Sequence, residues 1–385
     1  MASASISLPL TTMVLTRRAH RARLRITLWL PNEVLANIIQ CATQSGQATL
    51  CRLSKLFHAL VLPILNRHIK LNLSNPERSY HSVLENLSRS FIENPQRAET
   101  VRSVVFVRRK ECYFAVNFVL LFEAMELMRS LEHLFFYDWH EPAIATRLAC
   151  LEFPNLSWFR MIGDFSSSDP SDFVKFFIRH PSITRLRLLS RGLAHGGKIL
   201  DHGQGILPNL QQFDGTQLLF HRFATQHLRA VRYGPWDQLT ASDVETLKER
   251  TDHTLPFVLS LDLKDGVLDA VGENILSPLS RGMPDIQSLQ LQTPKKIDLS
   301  CMGALKRIGT HLALFRCIAY FAVAHWGEPV DIQSVEAVFQ TWVAACSTLK
   351  GCSIAQFAQR KVGEKWEQCS TDDFDDEGGF RELDG

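Results

Sequence analysis

The chain has 385 residues, 45% of them hydrophobic, and sets 42 lysines and arginines against 40 aspartates and glutamates. A substantial core can be buried, while a net charge of +2 gives no whole-chain field of the kind that draws a protein onto nucleic acid or a membrane surface. The nine cysteines are scattered without a CxxC pair and no HExxH occurs, so the sequence predicts reduced thiols, a cytoplasmic or nuclear setting, and neither metal nor cofactor.

Residues 1–28 carry Arg17, Arg18, Arg21, Arg23 and Arg25 and no acid, the composition of a disordered basic leader, with a mitochondrial presequence as the second reading. LPNEVLANII, residues 30–39, then starts a helix, because Pro31 suits a first turn and Glu33 the positive end of the helix dipole. Val34, Leu35, Ile38 and Ile39 recur as one helical stripe. CATQSGQAT reads as a break around Gly46, after which Leu50, Leu53, Phe57, Leu60, Val61, Ile64 and Leu65 resume the pattern, with Pro63 expected to kink or divide it. Two or three short helices in about forty residues make a small core that calls for a partner surface.

FAVNFVLLFEAMELM at 114–128 is the most apolar run, but Asn117, Glu123 and Glu126 interrupt it, so it predicts a buried amphipathic helix and not a membrane span. From about residue 100 apolar residues recur at positions 0, +3 and +5, as in leucine-rich repeats, from anchors at Val101, Leu131, Leu156, Ile183, Leu210, Leu228, Val258, Ile286, Leu312 and Leu349. Pro154, Pro181, Pro208, Pro256 and Pro284 stand two residues before five of these anchors. Each proline would stop a helix and turn the chain into the next strand. The asparagine or cysteine that regular leucine-rich repeats place at +8 is absent from every unit, so an irregular array is expected.

Helices are predicted between the anchors, among them one opened by Ser168, Asp169 and Pro170 and another running from Asp331. GLAHGGK, at 192–198, has the spacing of a phosphate-binding loop, yet Ile199 stands where that loop needs a hydroxyl, and a glycine-rich connection is the better reading. The chain closes on TDDFDDEGGFRELDG, seven acids and one arginine, which predicts a solvated, mobile tail.

LPNEVLANII followed by LCRLSKLFHALVLPILNRHIKL, residues 50–71, resembles the F-box, and the order F-box then leucine-rich-like repeats is similar to the divergent F-box proteins of fungal type. The resemblance implies an α/β fold: a short N-terminal helical F-box followed by an irregular leucine-rich-repeat-like α/β solenoid. Its parts are the leader at 1–28, the F-box at 29–72, the repeats at 73–369 and the acidic tail at 370–385. It also implies a substrate-recognition subunit of an SCF-type cullin-RING ubiquitin ligase, docked through a Skp-type adaptor onto cullin and holding an unidentified target protein on its repeats. Such a subunit is not an enzyme, and no catalytic constellation is found. The adaptor-binding residues would be Leu30, Pro31, Val34, Leu35, Ile38, Leu50 and Leu53.

Positions +2 and +4 of each strand should point away from the helices. His133, Trp158, Arg160, Arg185, Arg187, Arg232 and Arg316 are accordingly the candidate target-binding residues, a partly basic face suited to an acidic or phosphorylated segment. The alternative is a leucine-rich-repeat scaffold unrelated to ubiquitination, with residues 30–71 as its N-terminal cap.

Overall fold

The computed structural model describes residues 30–72, 80–107, 118–139, 143–163, 170–190, 205–216, 220, 223–236, 238–251, 255–294, 296–325 and 332–384. The basic leader and the GLAHGGK stretch lie outside them. The chain divides into two compact units, Met1–His68 and Ile69–Gly385.

The first unit holds α1 (Asn32–Cys41), α2 (Gln44–Leu50) and α3 (Lys55–Leu65). Pro31 stands directly before α1 and Glu33 lies in its first turn, as the sequence predicts. The expected break at CATQSGQAT is instead mostly helix. The Thr43 hydroxyl accepts from the Gly46 N–H and starts α2, while the Gln47 amide donates to the carbonyls of Ile39 (2.9 Å) and Ala42 (3.1 Å), sealing the end of α1. Polar capping overrode a propensity reading that saw only Gly46. Ser54 caps α3 by accepting from the Phe57 N–H, and α3 runs through Pro63 to Leu65 without dividing.

The second unit is built on one thirteen-stranded open sheet whose strand order is chain order. The strands are β1 (His68–Asn72), β2 (Ser103–Val107), β3 (His133–Trp139), β4 (Trp158–Gly163), β5 (Arg185–Ser190), β6 (Gln212–Thr216), β7 (Ala230–Trp236), β8 (Val258–Leu263), β9 (Ser288–Thr293), β10 (Tyr320–His325), β11 (Gly351–Ile354), β12 (Phe357–Val362) and β13 (Lys365–Cys369). From β2 to β11 each strand pairs parallel with the next, and β11, β12 and β13 form antiparallel pairs. Helices α4 (Tyr80–Glu93), α5 (Pro95–Glu99), α6 (Phe118–Glu126), α7 (Ala143–Leu148), α8 (Pro170–Arg179), α9 (Ala241–Arg250), α10 (Ser277–Gly282), α11 (Met302–Leu312) and α12 (Ile332–Ala345) lie in the connections.

A recurring entry sets the phase of most of the parallel strands. The carbonyl of Arg102 accepts from the N–H groups of both Glu132 and His133, Glu132 does the same for Ser157 and Trp158, Ser157 for Thr184 and Arg185, and Thr184 for Gln211 and Gln212. The arrangement returns at Gln287 and again at Ala319. It corrects two of the ten anchors. Tyr320 and not Leu314 enters β10, so the phase residue is Ile318, while Leu312 ends α11. Val258 enters β8 as the partner of Ala230 and Ser288, two positions later than an anchor would stand.

Four of the five prolines mark turns as predicted, Pro154, Pro181, Pro208 and Pro284 just ahead of β4, β5, β6 and β9; Pro256 instead lies outside any turn, in the irregular segment that enters β8. The residue following the proline reaches back one repeat. Asn155 donates to the Arg129 carbonyl (3.1 Å), Ser182 to Leu156 (2.8 Å) and Asn209 to Pro181 (3.0 Å). Thr348, also directly before its anchor, donates to Ile318 (2.8 Å). An inter-repeat polar ladder therefore exists, ahead of each strand and not at +8.

Between sheet and helices lies a continuous apolar core rich in phenylalanine, including Phe106, Phe136, Phe159, Phe176 and Phe177. His180, fully buried at the end of α8, joins two repeats: its Nδ1 meets the Phe176 carbonyl at 2.6 Å and its Nε2 accepts from the Phe153 N–H at 2.9 Å. Burial lowers the pKa of His180, a neutral ring with its proton on Nδ1 being the form that fits both partners. Truncation would orphan two buried backbone groups. His180→Ala should lower unfolding free energy by about 2–4 kcal/mol, read from urea denaturation followed by far-UV circular dichroism.

The expected solvated tail is the main correction. Residues Thr371–Gly378 form α13 and Arg381–Asp384 form α14, and Phe374 (0% exposed), Phe380 (1%) and Leu383 (5%) are buried. Ser370 caps α13 by accepting from the Asp373 N–H, Asp372 and Asp373 occupy its first turn, and Gly379, at φ 75°, supplies the left-handed residue that ends it. Asp372, Asp373, Asp376 and Glu377 sit on the outer side of an amphipathic helix, so a count of acids is a poor guide to this segment.

Candidate recognition surfaces

In the helical unit the stripe read as one is two. Leu35 (4% exposed), Ile39 (0%) and Val61 (0%) point inward, which corrects the placing of Leu35 among docking residues. Val34 (40%) and Ile38 (54%) are exposed one turn apart on α1, and Leu30 (36%) and Pro31 are exposed just before the helix begins. Leu53 (64%) is exposed in the turn before α3, and Leu50 is half-buried at the end of α2. Among the described residues of this unit, large aliphatic groups are thus left on the surface by helices whose inward positions are already filled.

In the second unit the register brings the predicted basic residues into adjacent rows on the sheet face turned away from the core. One row runs Ser103, His133, Trp158, Arg185, Gln212 and Ala230; the next runs Val105, Phe135, Arg160, Arg187, Asp214, Arg232, Ser260 and Gln290. Arg185 is exposed, whereas His133, Trp158, Arg160 and Arg187 are half-buried. Their rings and guanidinium groups stack on one another: the Trp158 ring meets Phe135 edge-on with centroids 4.7 Å apart, the Arg185 guanidinium lies over Trp158 at 5.4 Å, and Arg160 lies over Tyr137 at 4.8 Å.

Two predicted residues are placed differently. Arg232 is 5% exposed and belongs to the interior of the row. Arg316 lies before β10, where its N–H donates to the Pro284 carbonyl, because the anchor at Leu312 was out of phase.

The middle of the row is a buried charge cluster. Asp214 Oδ2 stands 2.7 Å from Arg187 Nε and 3.8 Å from Arg232 Nη1. Arg232 Nε donates to Ser260 Oγ (3.4 Å), which donates to Gln290 Oε1 (2.9 Å). Burial pushes the Asp214 carboxyl up to about 6, against the pull of Arg187 and Arg232, and Asp262 is raised for the same reason. Neither Ser260 nor Gln290 would have been singled out by charge alone.

The C-terminal helices rest on this same face. Phe374, Phe380 and Leu383 cluster with Ala230, Val258, Ala322 and Ala358, and Tyr320 packs against them. The floor is made of small residues where the helices sit: a Cβ on Gly351 would come within 3.0 Å of the Phe374 ring. Arg360 of β12 pairs with Glu377, and Arg381 with Asp376 (2.7 Å), holding the two helices in place. The face is therefore filled from β7 to β12, with its large aromatic and basic residues left toward β3, β4 and β5. Leu383 closes one side of a shallow cavity formed with Trp158, Arg185, Arg187, Gln212 and Asp214.

Among the described residues there is no group of three or more potential metal ligands and no helix long and apolar enough to cross a membrane. In comparisons with known proteins, no family model and no curated protein matches the chain.

Asp214 gives this surface a pH signature. With a folded pKa of about 6 against an ordinary 3.8, its contribution is fully present below the ordinary value and is lost as pH rises through 6. Wild type should therefore lose stability relative to Asp214→Asn between pH 4 and 7, by on the order of 2 kcal/mol. Denaturant titrations of both proteins across that range check it; parallel curves would remove the assignment.

Proposed function

We propose that the chain is the substrate-recognition subunit of an SCF-type cullin-RING ubiquitin ligase. In this reading the first unit is an F-box, the second a leucine-rich-repeat-like solenoid, and the chain makes or breaks no bond itself. The observation that carries the proposal is the exposed aliphatic set Leu30, Val34, Ile38 and Leu53 on a three-helix unit whose sequence resembles the F-box. Helices that have already buried Leu35, Ile39 and Val61 gain nothing within the unit from a further set of aliphatic side chains.

An adaptor of the Skp type would cover that set. Burying an aliphatic side chain fully is worth about 1.5–3 kcal/mol, so several can sustain a complex after the cost of association. The adaptor would bridge to cullin, and the strand face of the second unit would hold the target protein, with Trp158, Arg160, Arg185 and Arg187 at its open end. Strand order equal to chain order, with helices in most of the connections and prolines at four of the turns, supports the solenoid reading.

Pull-down of the full chain with a purified Skp-type adaptor tests this. The double substitution Val34→Ala, Ile38→Ala should weaken capture at least tenfold while leaving the denaturation midpoint unchanged, since both positions are exposed. Leu35→Ala should instead lower stability by about 2–4 kcal/mol. Wild type that fails to bind, or a double variant that binds as well as wild type, would leave a scaffold outside ubiquitination as the better reading.

A further inference from the structure

The strand face is already occupied in part, and by a segment of distinctive chemistry. Residues 371–385 carry seven acids, and three apolar residues among them, Phe374, Phe380 and Leu383, are the ones that are buried. The two ends of this segment sit on unlike floors. Phe374 and Phe380 lie over alanines and Gly351, a fitted apolar seat. Leu383 lies over a small cavity lined by Trp158, Arg185, Arg187, Gln212 and Asp214 together with the chain at Leu186 and Phe213, a mixed seat with aromatic and cationic sides.

The charge of that seat favours an anion. Arg160, Arg185, Arg187 and Arg232 stand on adjacent strands against Asp214 and Asp262, an excess of cations, and the segment that reaches it places Leu383 between Glu382 and Asp384 in sequence. An aliphatic anchor enters beside Trp158, and a segment of acidic sequence is the kind of chain that an excess of arginine would favour there. The internal segment holds this seat at the effective concentration of a tethered ligand, which makes it a competitor for anything of like chemistry.

We propose that the strand face at β4–β7 is a binding site for short acidic peptides carrying an aromatic and an aliphatic anchor three residues apart, and that the chain's own Phe380–Leu383 turn occupies it as an intramolecular competitor. The proposal rests on the second unit's strand face being the target-binding surface and names the class of target it takes. Recognition requires displacement of α14, while α13 remains on its apolar floor.

The test uses a fluorescein-labelled peptide of residues 379–385, GFRELDG, and fluorescence anisotropy. A chain ending at Gly378 should bind it at least tenfold more tightly than the full chain does. Binding should weaken in 0.5 M salt and be lost when the peptide carries Leu383→Asp or has its acids replaced by lysines. If the shortened chain does not fold, the full-length double variant Phe380→Ser, Leu383→Asp vacates the same seat and should show the same gain. Equal binding to the open and full chains, or equal binding of the lysine peptide, overturns the proposal. Capture by the Skp-type adaptor is measured on the same preparations: peptide failure with adaptor capture intact refutes this inference alone, whereas adaptor failure with peptide binding intact refutes the ligase assignment alone.

Discussion

A single backbone carbonyl shared by two successive N–H groups of the next repeat keeps the second unit in phase. Parallel strands cannot be tied by tight hairpins, so their relative register must come from side-chain burial and from fixed entry points. A slip of one residue would turn every inward leucine and phenylalanine outward. Here the entry carbonyls at Arg102, Glu132, Ser157 and Thr184, with the following buried anchors, fix that register over successive strands. Fixed register is what makes rows: Trp158 next to Arg185, Arg160 next to Arg187, and Asp214 between Arg187 and Arg232. The candidate recognition surface is thus a by-product of the backbone bonds that align the core.

The rows also explain how charge is tolerated in the sheet. An isolated buried carboxylate would be costly, and Asp214 is held between two guanidinium groups whose attraction offsets part of its desolvation. Polar side chains continue the line through Ser260 to Gln290. Covering this line with α13 and α14 keeps water from most of it, and leaves the arginine and tryptophan side chains of β4 and β5 as the open margin. A sheet face that is apolar and sealed at one end, basic and open at the other, has direction. A peptide laid across it would meet the two ends differently.

Much of this was legible from sequence because it depends on local chemistry. Proline two residues before an anchor marks a turn at Pro154, Pro181, Pro208 and Pro284, though not at Pro256. Apolar period placed the inward positions of most strands correctly. It failed at Leu312 and Val258, where an apolar helix end and an apolar strand entry satisfy the same three-position pattern, and only the hydrogen-bond register separates them. The basic row was legible as outward-facing residues, but the burial of Arg232 was not, because it depends on the neighbours that strand pairing sets beside it, Asp214 and Ser260. The stripe at Val34, Leu35, Ile38 and Ile39 was legible as helix, while its division into inward and outward halves needed the positions of α2 and α3. In the C-terminal segment two signals compete: Ser370 with Asp373, and the Gly378–Gly379 stop, bracket a helix, and Phe374, Phe380 and Leu383 give it an apolar side, whereas seven acids have the composition of a solvated tail.

The sealed end of the strand face depends on that segment being seated on the sheet. Backbone hydrogen exchange of the full chain, resolved to peptides covering 371–384, measures this directly. Slow exchange in α13, comparable to that of β7–β10 and lost when Phe374 and Phe380 are replaced by serine, is the result the structure predicts. Exchange of 371–384 at the rate of an unstructured peptide, with the sheet protected, would contradict it.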